Sequence, residues 1–184
     1  DGTSIRQICK EANANVCMIS YYWGGKQELY NGIIEDIIER QTQYVKIILD
    51  LEQDFSKWSK AQQVEHLFFV LDKFMDFFYS KNVSKDLIVF MVRLQQSSSS
   101  FVIKSPSFDY LRRLIATIFN LKPDSRETIF KTLFIVSQIN SARVLPAFSL
   151  NLLNQDDFTK EDIAIIKNNF KLYVNTLLKE ANIV

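Results

Sequence analysis

The residues in this 184-residue chain that could do covalent or metal chemistry are few: two cysteines, one histidine, a run of four serines and an acidic group in one helical stretch. Cys9 and Cys17 lack the close spacing and the extra ligands of a zinc site, and two cysteines make no disulfide framework. His66 stands inside an amphipathic pattern, where a lone imidazole is a packing residue more often than a ligand. Ser97 to Ser100 read as loop, with no Gly-x-Ser-x-Gly elbow, and no glycine-rich phosphate loop occurs. Glu35, Asp36 and Glu39 fall on one helical face, the usual composition of a solvated surface. A redox role for Cys17 would need basic neighbours that the sequence does not place beside it. No catalytic residue, metal ligand or cofactor is therefore expected.

Chemistry by contact is better represented. The stretch Asn15 to Trp23, NVCMISYYW, is a short helix with no charge on it. With Ile19 and Trp23 turned to the core beside Ala14, the rest of its surface is Val16, Cys17, Met18, Ser20, Tyr21 and Tyr22. A solvated helix normally shows Lys, Glu or Gln. A helix in a DNA major groove meets thymine methyls, base edges and phosphates instead, and small, apolar and phenolic groups suit these. Lys26 opens the next helix, where its ammonium and the free amides there both favour a phosphate. A second reading keeps Tyr21 and Tyr22 as core aromatics and Lys26 as an ordinary surface residue.

The elements that must position these groups are helices. With only four glycines and three prolines, the chain cannot make the many turns of an all-β fold. Ser4 to Gln7 fits a capping box, and Ile5, Ile8, Cys9 and Ala12 form one apolar stripe. Asn13 can take the left-handed conformation that stops a helix, and Asn15 can cap the next. Gly24-Gly25 ends that one, and a long helix starts at Lys26. Helix, three-residue turn, short helix is the helix-turn-helix arrangement. Further helices are predicted near 61–81, 85–96, 108–120, 126–153 and 160–181, with QQSSSSFVIKSP as the clearest loop.

Composition agrees. Hydrophobic residues make up 47% of the chain, with 15 Phe and 7 Tyr, enough for a substantial core. Net charge is +1, so no global basic field marks nucleic-acid binding. No apolar run reaches the ~18 residues of a membrane span. Free cysteines and the absence of a leader peptide fit the cytoplasm.

The segment Gly2 to Tyr30 resembles the DNA-binding segment of the TetR/AcrR family of transcriptional repressors. Thr3-Ser4 opens a helix, Ile8-Cys9 stands for its Ile-Ala pair, Tyr21-Tyr22-Trp23 ends the recognition helix, and Gly24-Gly25-Lys26-Gln27-Glu28-Leu29 follows. Asn15 to Trp23 is similar in particular to the CecR-type subgroup. Asn13 stands where Gly is usual, Cys9 for Ala, Trp23 for Phe and Gly25 for the capping Ser. The family's first helix, which precedes Thr3, is not in this sequence.

The resemblance implies an all-α protein. A helix-turn-helix unit over residues 1–47 would precede a helical ligand-binding and dimerisation bundle over 48–184. It implies a dimer on palindromic double-stranded operator DNA, contacted by Thr3, Ser4, Arg6, Asn15, Val16, Cys17, Met18, Ser20, Tyr21, Tyr22 and Lys26. It also implies a cavity for a small hydrophobic or aromatic effector, for which Phe68, Phe78, Phe90, Met91, Phe119, Phe134 and Gln138 are the candidates. The last two helices carry more apolar residues than one intrachain partner requires: Ile129, Leu133, Val136 and Ile139, with small Ser137, Ser141 and Ala142, on one, and Ile163, Ile166, Phe170, Tyr173 and Leu177 on one side and Ile165, Leu172 and Thr176 on others of the second; they are expected to form the homodimer contact. The alternative is an α-helical carrier or sensor of apolar molecules whose helix-turn-helix is only structural.

Overall fold

The computed structural model describes residues 2–81, 83–96 and 105–184. Among these residues every regular element is helical and there is no strand, as the glycine and proline content predicts. The chain forms two compact units, Asp1–Asp50 and Leu51–Val184.

The first unit holds α1 (Ile5–Glu11), α2 (Val16–Trp23) and α3 (Lys26–Ile48). The capping box at α1 is present: the Ser4 hydroxyl accepts from the Gln7 amide, and the Gln7 side chain accepts from the Ser4 amide at 2.7 Å. Asn13 takes φ 50°, the left-handed region that asparagine tolerates, and the chain turns there.

The second unit holds α4 (Lys60–Phe78), α5 (Lys85–Gln96), α6 (Pro106–Ile118), α7 (Arg126–Val144), α8 (Leu150–Leu153) and α9 (Lys160–Glu180). Helix α6 is its centre and packs against α4 and α7. Tyr110, Leu111, Leu114, Ile115 and Ile118 are all fully buried, and each apolar side chain withdrawn from water contributes about 1.5–3 kcal/mol. The end of α6 is closed by Lys60, whose ammonium donates to the Thr117 and Ile118 carbonyls at 2.7 and 2.6 Å and to Asn120 Oδ1 at 2.9 Å. A cation at the negative end of a helix satisfies carbonyls that would otherwise lack donors. Lys167 similarly ties α9 to α4 through Asp72, at 2.9 Å.

Two predicted helices change. The helix expected over 126–153 stops at Val144, because Pro146 cannot donate and restricts the residue before it. A 3-10 turn, Pro146–Phe148, and the single-turn α8 follow. The helix expected from Phe108 starts at Pro106, at a first position where proline costs nothing. Most of the predicted loop QQSSSSFVIKSP, residues 97–104, lies outside the described residues.

Helix α7 is unusual in what it buries. Thr128, Thr132, Ile135 and Ile139 face inward, while Ile129, Phe130, Leu133 and Phe134 are exposed. The two threonines are accommodated because their hydroxyls donate to the Lys122 and Thr128 carbonyls, at 2.9 and 2.8 Å. Among the described residues no single helix is long and apolar enough to cross a membrane; only the pair Arg126–Val144 and Pro146–Leu153, bent by 73°, passes by length and composition.

Candidate nucleic-acid interface

The start of α2 is fixed by Asn15, whose Oδ1 accepts from the Cys17 amide at 2.9 Å. The Ala14 amide closes the turn onto the Cys9 carbonyl at 2.8 Å. Helices α1 and α2 pack together, and Cys9 and Ile19, 8% exposed, are their buried side chains. At the other end Gly24 takes φ 80°, a conformation that glycine adopts without strain. Gly25 caps α3 with extended backbone and no side-chain bond.

This frame leaves all of α2 outward except the side that carries Ile19. Val16, Cys17, Met18, Ser20, Tyr21 and Tyr22 are all exposed, Tyr21 at 82% and Tyr22 at 65%. The two tyrosine rings meet edge to face with centroids 5.0 Å apart, so each limits the other's freedom. The core reading of these tyrosines is thereby excluded for the chain by itself. Thr3, Ser4, Arg6 and Lys26 are also exposed. Ser4 and Asn15 already use their side-chain oxygens as helix caps, so their contribution is to hold the two helix starts.

Trp23 is less deeply placed than its spacing suggests, at 44% exposed, and Ala14 is exposed as well. The reason is Gly32 on α3. A Cβ built there would lie 2.2 Å from Cζ3 of Trp23. The benzo edge of the indole lies against the bare glycine backbone. The sequence reading missed Gly32, because a lone glycine inside a helical pattern carries no sign of what packs on it.

The effector candidates are scattered. Phe68, Phe78, Phe90, Met91 and Phe119 are half-buried on α4, α5 and the end of α6. Phe119 lies under the Lys131 ammonium, 5.0 Å from its ring centroid. Phe134, 58% exposed, and Gln138 stand on the outer face of α7, so in the chain by itself they do not line an interior cavity. Periodicity cannot tell which face of α7 turns inward when threonines take the inner one.

A cavity of about 270 Å³ does open in the helical unit, between the last turn of α7, the segment joining α4 to α5 and the loop before α9. None of the seven candidates lines it. Its polar groups include Ser80, Lys85, Arg143 and Asp156, drawn from three separate stretches of sequence. Among the described residues no group of three or more His, Cys, Asp or Glu side chains is placed to hold a metal ion.

Against known proteins, a family model described as the C-terminal domain of the HTH-type transcriptional dual regulator CecR matches residues 64–180, from the second turn of α4 to the end of α9. No curated protein matches the chain. The matched residues are well over half of the sequence, and the helix-turn-helix unit lies before them. The chain therefore belongs to this family of helical domains, and with it to the TetR-type transcriptional regulators.

Proposed function

We propose that the protein is a ligand-responsive repressor that binds palindromic operator DNA as a homodimer and is released by a small apolar effector. The observation that carries this reading is the outward face of α2. It is exposed, uncharged, rich in phenolic and small apolar groups, and set between two capped turns. Major-groove recognition uses such a surface: Met18, Val16 and Ser20 would meet base edges and thymine methyls, and Tyr21, Tyr22 and Lys26 would meet phosphates. Thr3, Ser4 and Arg6 at the start of α1 would reach the adjoining backbone.

The dimer is supported by the exposed faces of α7 and α9, which are in contact with each other. On α7, Phe130, Phe134, Ser137 and Ser141 recur at i, i+4, i+7 and i+11. On α9, Ile165, Asn169, Leu172 and Thr176 do the same. Each polar residue in these two rows bonds within its own helix: Ser137 to Phe134, Ser141 to Gln138, Asn169 to Ile165 and Thr176 to Leu172. Each of these side chains therefore has one donor satisfied inside its helix, which lowers the cost of covering the rows by the same rows of a second copy in a four-helix bundle.

Effector control would be a population shift in the cytoplasm. A ligand that prefers a dimer whose recognition helices are wrongly spaced lowers DNA affinity by linkage. The test is binding of the purified protein to its own promoter DNA across a salt series. Steeply salt-dependent, palindrome-specific binding is expected. Binding that ignores sequence at every salt concentration would return the chain to the class of helical carriers.

A further inference from the structure

We infer that the cavity beside Arg143 is a binding site for a small apolar molecule carrying one carboxylate, gripped by the Arg143 guanidinium; the inference rests on reading the chain as effector-responsive. Arg143 lies in the last turn of α7 and is half-buried. Its Nη1 donates to the Phe78 carbonyl at 2.6 Å, and its guanidinium carbon lies 5.9 Å from the ring centroids of both Phe78 and Tyr79. Among the described residues no carboxylate pairs with it. A charge drawn from water without a counter-ion is costly, and an entering anion relieves that cost. The planar fork suits a carboxylate in particular.

The rest of the cavity agrees with a molecule of that kind. Lys81 and Lys85 line it and, among the described residues, form no ion pair. Asp156 and Asp157 line it too, but both are exposed to water, and Asp157 Oδ1 already accepts from the Phe158 amide at 2.9 Å. The Ser80 hydroxyl, on the wall, is buried without a partner. Close by in the chain, the Tyr79 hydroxyl and Gln155 Oε1 share that condition. Burial pushes the Tyr79 phenol up to about 12, and its ring lies 5.6 Å from that of Phe158 on the cavity wall. Buried polar groups normally have partners, so the unsatisfied Ser80 hydroxyl on the wall marks a place for a polar ligand atom. Val83, Ile88 and Leu150, all buried, supply the apolar wall. At about 270 Å³ the space is at the small end of ligand cavities and suits a single ring or a short alkyl chain. A phosphate ester would leave that wall uncovered, and an amine would face the guanidinium.

The experiment is calorimetric titration of the full chain with phenylacetate and hexanoate, with their amides, and with phenethylamine. Amide chemical shifts are followed in parallel on the unsubstituted protein. Saturable binding of a carboxylate is expected, about tenfold or more tighter than its amide, with shifts at Ser80, Ser84, Ile88 and Phe158. Arg143→Gln should bring the carboxylate down to the level of the amide. If that variant does not fold, Ile88→Phe, which adds bulk to the cavity wall, should abolish binding. Equal binding of acid and amide, tighter binding of the amine, shifts confined elsewhere, or no carboxylate binding at millimolar concentration each overturn the site. Operator affinity is read separately. Carboxylate occupancy with unchanged DNA affinity upholds the site and removes the effector reading. DNA release by a neutral apolar compound, without carboxylate binding, keeps the effector reading and removes this site.

Discussion

On the proposed reading, Tyr21 and Lys26 hold the DNA backbone while Met18 and Ser20 read its sequence. A hydroxyl on a side chain 82% exposed has nothing to do in the free chain, and its loss costs no packing. Tyr21→Phe should therefore leave thermal stability unchanged while weakening operator binding by roughly 0.5–1.5 kcal/mol, the net value of one hydrogen bond. Lys26→Ala should weaken binding on every sequence and lower the salt slope by about 1, whereas changes at Met18 or Ser20 should alter which operator is preferred. Tyr21→Ala protein that binds its operator with undiminished affinity would show that α2 does not dock by this face. Two glycines make a second test at this scale. At Gly32 a Cβ meets the rigid Trp23 ring at 2.2 Å, but at Gly25 it meets only a carboxylate oxygen of Glu28 at 2.9 Å, the flexible end of a side chain. Gly32→Ala should thus destabilise by about 1–3 kcal/mol through overpacking, although alanine is the better helix former by about 1 kcal/mol. Gly25→Ser should be tolerated and add a few tenths of a kcal/mol by capping α3. Thermal melts with Trp23 fluorescence decide both, and a stable Gly32→Ala variant with unshifted Trp23 emission would refute the packing account.

The helices themselves are largely legible in the sequence, because capping boxes, left-handed asparagines and apolar periodicity are local signals. Ser4, Asn13 and Asn15 each do what their types predict, and Thr159 caps α9 together with Asp162. What was not legible is which face of an element turns inward. Helix α7 places Thr128 and Thr132 inside and Phe130 and Phe134 outside, the reverse of a hydropathy reading, because the threonine hydroxyls find carbonyls in their own segment. The Arg143 cavity was hidden for a different reason: residues 80–88, 143–150 and 156–158 converge only through the fold. The junction of α4 with α6 carries a pH prediction. His66 Nε2 lies 2.7 Å from the Tyr110 hydroxyl, and the imidazole also stacks on Phe69, with ring centroids 5.7 Å apart. Burial lowers the His66 pKa below its ordinary 6.5. A folded pKa below the unfolded one means that the unfolded chain binds the extra proton, so this contribution is complete above about pH 6.5 and is lost as pH falls through the folded value. Stability measured by denaturant unfolding should therefore decline between roughly pH 7 and 5, and His66→Gln should flatten that decline. An identical slope in the variant would place the sensitivity elsewhere.

At the scale of the whole molecule, one surface has to explain why so much apolar area remains exposed on a chain whose core is already well filled. Ile129, Phe130, Leu133 and Phe134 are exposed on α7, and Ile165 and Leu172 are exposed on α9, the helix packed against it; exposed apolar patches of this kind mark interaction sites rather than ordinary surface. The occupant we propose is a second copy. The rows are self-complementary in character, large at Phe130 and Phe134 and small at Ser137 and Ser141, and an isologous contact needs only one such face. Phe134→Glu tests this without disturbing the fold, since the ring is 58% exposed and its removal leaves no cavity. Two carboxylates brought together across a two-fold axis, with apolar neighbours excluding water, should split the dimer. Sedimentation velocity at micromolar concentration should then show a monomer with unchanged helical circular dichroism. Because a dimer engages two half-sites at once, the monomer should lose about 10²–10⁴-fold in operator affinity. The same variant separates the two roles that Phe134 has been assigned. If it lined an effector pocket, Phe134→Glu would leave the dimer and its DNA binding intact and change only the response to ligand. A protein that remains dimeric with full operator affinity would therefore move the interface off α7 and return Phe134 to the effector.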